Sequence, residues 1–227
     1  MTVCLPYIRP EPTVIIMDTS YFRDDFGVMV FRDGYQKRNL LWKFIKHETL
    51  QLYKQGIMAL LKQGWDIKAI VCDGKRGLFT AFESMPVQMC QFHQTAIVTR
   101  YITKRPKLQA GKELKQVLSL LTRSDKESFI GALDQWFIRW KAFLSERTID
   151  PETNRWHYTH RKIRSAYRSL KTNLPYLFTY YDYFDLNIPN TTNSLEGTFS
   201  NLKTKLQVHA GLKLHRKLKL INELLKN

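Results

Sequence analysis

Acidic residues are in short supply: 20 Asp and Glu face 36 Lys and Arg, a formal net charge of +16 with a pI near 9.8. That deficit predicts a polyanionic partner, because cations that neutralise phosphates also release counterions. A basic protein with another role and a membrane-surface binder are the alternatives. Cysteine is scarcer still. Cys4, Cys72 and Cys90 are widely spaced with no CxxC pair, which argues against a disulfide framework and for a reducing compartment. No stretch approaches eighteen consecutive apolar residues, and Pro6, Pro10 and Pro12 stand where a secretory leader needs an apolar run. A soluble cytoplasmic, nucleoid-associated protein is the expectation, with no membrane partner. Internal repeats and low-complexity tracts are missing too. What is present, 44% apolar and 13% aromatic residues in a chain of 227, is the composition of a folded domain with a sizeable core.

After Pro12 the run TVIIMDTSYF is β-branched and apolar on both alternations, and reads as a buried strand. RDDFG is a turn, with Asp24 and Asp25 in it. VMVFRDG forms a hairpin partner closing on Asp33-Gly34, and LLWKFI a third strand. From His47 to Gln63 apolar residues recur at helical spacing, with Gly64 as the stop. IKAIVCDG is a fourth strand, a short helix runs to about Ser84, and VQMCQF is a fifth strand. From His93 to about Leu170 nearly everything reads helical, with Ser124 and Glu127 as a capping box. A last helix carries Leu195, Phe199, Leu202 and Leu206 on one face. Strands followed by alternating strand and helix predict an α/β fold, a mixed five-stranded sheet flanked by helices. The expected division is 1–93, 94–185 and 186–227.

Two acids close apolar strands: Asp18 late in the first and Asp73 at the end of the fourth. Each alone reads as readily as a turn or strand-end residue. Jointly they say more, because neighbouring first and fourth strands would bring two carboxylates together, and these repel unless a cation lies between them. Hard oxygen ligands suit Mg²⁺. For a third acid, Asp182, Asp185 and Glu196 are the candidates. Asp33, with Asp24 and Asp25, reads as a turn residue. Glu196 has a simple structural reading beside the chemical one: Asn193 and Glu196 have the spacing of a capping box.

Asp18 at its strand end, CDGxxG around Asp73, QMCQFH from Gln88 to His93 and TNSLEGxxxxLK around Glu196 together resemble the catalytic core of Mutator-like transposases of bacterial insertion sequences. These are DDE recombinases of RNase H-like fold, and the resemblance spans roughly residues 13 to 215. It implies that Asp18, Asp73 and Glu196 are the catalytic triad and hold two Mg²⁺ ions, with Mn²⁺ able to substitute. It also implies an all-helical insertion before the last catalytic helix, since 55 and 123 residues separate the successive acids. Double-stranded DNA, as element ends and target, and a homo-oligomer on DNA are the implied partners. Relatives carry an N-terminal end-recognition region, and a first strand near residue 13 predicts that this chain lacks it. A structure-selective nuclease of the same fold and a non-catalytic DNA-binding remnant are the rival readings.

Three further features bear on function. Cys90 and His93 form a CxxH, read as a structural pair shaping the site or as half a zinc site. Trp136 and Trp140, four apart on one helix, are core residues or platforms for an unpaired base. Arg161, Lys162, Arg164, Arg168 and Lys171 lie in a stretch without acids, and Lys203 and Lys205 follow Glu196. These seven are the candidate contacts to the DNA backbone.

Overall fold

The computed structural model describes residues 2–4, by their backbone, together with residues 9–22 and 26–226. Five strands carry the core: β2 (Thr13–Phe22), β3 (Phe26–Asp33), β4 (Asn39–Ile45), β5 (Ile67–Cys72) and β6 (Val87–Met89). They lie in the order β4-β3-β2-β5-β6, and a short edge strand, β1 (Thr2–Cys4), pairs with β4 to make six. The meander β2-β3-β4 is antiparallel, whereas β5 and β6 run parallel to β2. This mixed sheet flanked by helices is the α/β arrangement of RNase H-like proteins. Of the turn expected at 23–27, residues 23–25, with Asp24 and Asp25, lie outside the described residues, as does the side chain of Cys4, whereas Phe26 and Gly27 already belong to β3, paired with Phe22 and Tyr21.

Strand alternation sorts the apolar residues onto two faces. Ile15, Met17, Met29, Phe31, Ile70 and Cys72 pack with Tyr53, Ile57 and Leu60 of helix α1 (Leu50–Lys62). Val14, Ile16, Val28, Val30, Ala69 and Val71 face the other way. There they meet Leu195, Phe199, Leu202 and Leu206 of helix α8 (Asn193–Val208), and Ile221 and Leu225 of helix α9 (Leu214–Leu225). Each buried side chain of the α8 stripe stabilises the docked helix by about 1.5–3 kcal/mol relative to exposure. As expected, α1 ends at Gly64, whose φ of +92° is the left-handed conformation of a helix stop.

A short helix α2 (Leu78–Ala81) precedes β6, and a third core fills the segment between β6 and α8. It is built by α3 (Gln91–Ile102), α4 (Gln109–Leu120), α5 (Lys126–Ser145) and α6 (Arg161–Leu177), followed by a short α7 (Thr179–Asp182) and a 3-10 turn at Phe184–Leu186. Three local expectations change. The fifth strand stops at Met89 and α3 begins at Gln91, with Cys90 between them as the helix cap; the buried polar side chains of Gln88 and Gln91, both donating to the Leu177 carbonyl, break the apolar pattern that would mark the boundary. The segment is not helical throughout: β7 (Arg147–Ile149) and β8 (Trp156–Tyr158) form a two-stranded ribbon, closed by Asp150 accepting from the amides of Glu152 and Thr153. Ser124 is not the cap of α5; Asp125 is, accepting from the Ser128 amide at 2.7 Å.

Candidate active site

Strand register sets Asp18 and Asp73 on the same side of the sheet. In the parallel pair, Val14 opposes Ala69 and Ile16 opposes Val71. Both series step by two along the sheet face that α8 covers, and one further step on each strand reaches Asp18 and Asp73. The separation of 55 residues noted in the sequence is thus the offset of the strand pairing itself. Asp73 sits one residue past β5, in a turn where its Oδ1 accepts from the Lys75 amide at 2.9 Å. Gly74 takes a φ of +82°, and a Cβ there would lie 2.5 Å from Met89 Cε, so the turn needs glycine.

Glu196 arrives from the other side, in the first turn of α8. Asn193 is not its cap. The helix starts after Thr192, which makes no side-chain cap hydrogen bond to the helix amides. The Thr192 amide and hydroxyl donate instead to Cys90 Sγ at 3.3 and 3.4 Å. Freed from a capping box, Glu196 keeps a buried Oε1 with no hydrogen-bond partner among the described residues. A buried carboxylate oxygen left unsatisfied is costly, which makes it a candidate ligand atom. Arg32 of β3 fixes the same turn: its Nη1 donates to the Ser194 carbonyl and to the Thr198 hydroxyl, both at 2.7 Å.

The electrostatics tie the three acids together. Asp18 is 5% exposed. Burial, reinforced by the charges of Asp73 and Glu196, pushes its carboxyl up to about 7, against the opposing pull of His93 and the Thr19 amide. Burial disfavours the His93 cation, but hydrogen bonding to Cys90 and the charge of Asp18 outweigh it and raise the imidazole to about 9. Burial of Cys90 is likewise outweighed, by hydrogen bonds from His93 and Thr192, so its thiol is lowered. His93 Nδ1 lies 3.9 Å from Glu196 Oε1, a charge contact beyond hydrogen-bond range.

Two metal-ligand sets can be drawn from these residues. The Cys90 sulfur, a His93 nitrogen and a Glu196 oxygen lie within 4.8 Å of one another. Cys90 and His93 also both hydrogen-bond to the Thr192 hydroxyl, which ties this set to the start of α8. Asp18, Asp73 and Glu196 offer hard oxygens only, the donor chemistry Mg²⁺ takes, but among the described residues only the Cys90, His93 and Glu196 set has its ligand atoms that close together. The other acids are engaged elsewhere. Asp33 accepts from the Thr13 hydroxyl and the amides of Tyr35 and Gln36, as a turn residue should. Asp182 is held by Lys126 at 2.7 Å, and Asp185 is exposed in the 3-10 turn.

The remaining candidates divide. Trp136 is 3% exposed and donates to the Ala110 carbonyl, so it is core and no platform for a base. Trp140 is half-buried and donates to Glu113. Arg161, Lys162, Arg168, Lys203 and Lys205 are exposed, as is Lys171, which pairs with Asp134 at 3.1 Å. Arg164 is partly structural, donating to the Leu144 carbonyl and lying over the Tyr158 ring. Sequence reasoning missed Arg32, and also a chain behind the strand-borne acids in which the Thr19 hydroxyl meets the Tyr53 hydroxyl, Tyr53 donates to Glu48, and Glu48 pairs with Lys75. Glu48 and Lys75 carried no local signal, since their contact crosses from the start of α1 to the turn after β5. Compared with models of known protein families the chain matches none, and no curated protein matches it.

Proposed function

We propose that this chain is the catalytic core of a DDE-type DNA transposase, which cleaves the 3′ ends of a mobile element and joins them to target DNA. One observation carries the reading. The buried Asp18 carboxyl of β2 feels the charges of Asp73, just past β5, and Glu196 of α8, and the helix-borne Glu196 keeps a buried oxygen unsatisfied. The motif resemblance around Asp18, Asp73 and Glu196 supports it, as does the basic charge.

Mg²⁺ ions held by Asp18, Asp73 and Glu196 would supply activation of the incoming oxygen and charge neutralisation on the departing one. The chain's own residues do the rest. Strand β2 carries Asp18, the turn directly after β5 carries Asp73, and Arg32 and Thr192 hold the turn bearing Glu196. His93 places a positive charge beside the acids, limiting their mutual repulsion in the empty state. In cleavage, a water oxygen attacks phosphorus and the 3′ oxygen departs and is protonated. In joining, that 3′-OH attacks a target phosphodiester and displaces another 3′ oxygen. Exposed cations on α6 and α8, Arg161, Lys162, Arg168, Lys203 and Lys205, would lie against backbone phosphates of duplex DNA. Assembly of copies on DNA belongs to the same proposal. Among the described residues no helix is long and apolar enough to cross a membrane.

The test is strand joining. A labelled oligonucleotide with a free 3′-OH, supercoiled plasmid and Mn²⁺ should yield label covalently attached to plasmid. Glu196→Gln should lower the yield on the order of a hundredfold or more. Nicking without joining by the wild type would move the assignment to a nuclease, and DNA binding without either would leave a non-catalytic remnant.

A further inference from the structure

The ribbon that interrupts the helical segment carries an aromatic, cationic face. In its register Arg147 opposes Tyr158 and Ile149 opposes Trp156. Residues two apart on a strand share a face, so all four side chains project from the same side. That side is open: Ile149 is 64% and Trp156 54% exposed. The Arg147 guanidinium lies 4.1 Å from the Trp156 ring centre, and Arg164 from α6 lies 3.6 Å from that of Tyr158. Of the ribbon's acids, Glu146 pairs with His160 at 2.8 Å, Asp150 closes the turn, and Glu152 is exposed within that turn. Arg161, exposed one turn before Arg164 on α6, adds to the positive charge beside this face.

We propose that this ribbon face is a binding surface for an unpaired DNA strand, with Trp156 stacking on a base and Arg147 and Arg161 meeting the flanking phosphates. An exposed indole set beside guanidinium groups joins the two elements of single-strand recognition, a π-face for any base and a cationic track for the backbone. A protein partner would use the Ile149 and Trp156 surface, but it would leave the arginine rim without counter-charges. Charge complementarity therefore selects the polyanion. The choice of DNA as that polyanion rests on the transposase reading; the stacking contact does not.

Fluorescence separates this site from the rest of the chain. Of the five tryptophans, Trp42, Trp65 and Trp136 are buried and Trp140 is half-buried, leaving Trp156 as the exposed emitter. Binding is measured in EDTA on Glu196→Gln protein, so the outcome is independent of whether the acids catalyse joining. A labelled mixed-sequence single strand should quench the tryptophan emission, and heparin, a polyanion without bases, should not. By anisotropy, Trp156→Ala should weaken single-strand binding about tenfold, Trp156→Phe should retain most of it, and binding of the matching duplex should change less than about threefold. Equal single-strand affinity for Trp156→Ala and wild type, or equal quenching by heparin, would overturn the proposal and point the ribbon toward a protein partner.

Discussion

An ionised carboxylate at position 18 is expensive for the fold. The side chain is buried, and Asp73 and Glu196 add like charge. A carboxyl raised from 3.8 to about 7 binds protons more tightly in the folded state than in the unfolded chain. Its contribution to stability is therefore full below about pH 4 and is lost as pH rises through 7. Asp18→Asn removes that dependence. In EDTA the variant should gain on wild type between pH 4 and 8, by on the order of 3 kcal/mol at the upper end, while losing the proposed chemistry. Urea unfolding at pH 4.5 and pH 8 measures it; a stability difference that stays constant over that range would place Asp18 among ordinary carboxylates. The same trade explains why Glu196 was ambiguous as a residue. Asn193 and Glu196 have capping-box spacing, but capping depends on which residue starts the helix. Here Thr192 does, with its hydroxyl drawn to a sulfur 102 residues away in sequence. Local spacing does not report such a contact.

At the scale of elements, α8 is a lever whose position decides where Glu196 points. Its apolar stripe was legible, since Leu195, Phe199, Leu202 and Leu206 repeat with the helical period and all are buried. Its anchor was not: Arg32 reaches Ser194 across 162 residues, and no period or propensity encodes that distance. The strands β2 and β5 were legible for the same reason as the stripe, as apolar runs of strand length. The ribbon β7-β8 was not, because three-residue exposed strands carry no hydrophobic alternation. Arg32→Ala deletes the bonds that flank Glu196 on both sides along the helix. The expected result is a loss of about 1.5–3 kcal/mol in stability and a larger proportional loss of joining. Arg32→Lys should recover part of the stability, since a single ammonium replaces the fork incompletely. Differential scanning calorimetry beside the joining assay separates the two effects; joining at the wild-type level in Arg32→Ala would remove Arg32 from the positioning of the helix.

The whole molecule brings a meander, a parallel strand and a helix more than a hundred residues downstream together at the adjacent inner strands β2 and β5 of the sheet. Strand order supplies the first coincidence, Asp18 near Asp73, legible as an acid in each of two apolar strands; only Asp73 closes its strand, whereas Asp18, expected at a strand end, lies inside β2, which stays paired with β3 to Phe22. The helical segment between β6 and α8 has a core of its own, and α8 then returns to the sheet face that its stripe matches. Asp182 and Asp185 are left outside, one paired with Lys126 and the other in solvent. The central claim is that Asp18, Asp73 and Glu196 make one site for a divalent metal. It is tested most directly by calorimetric titration of Mn²⁺ into the wild type and into Asp18→Asn, Asp73→Asn, Glu196→Gln and Asp182→Asn. Binding by the wild type and Asp182→Asn alike, with a loss of at least about tenfold in each of the other three, is the expected result. Unchanged Mn²⁺ affinity in Asp18→Asn and Asp73→Asn would contradict it.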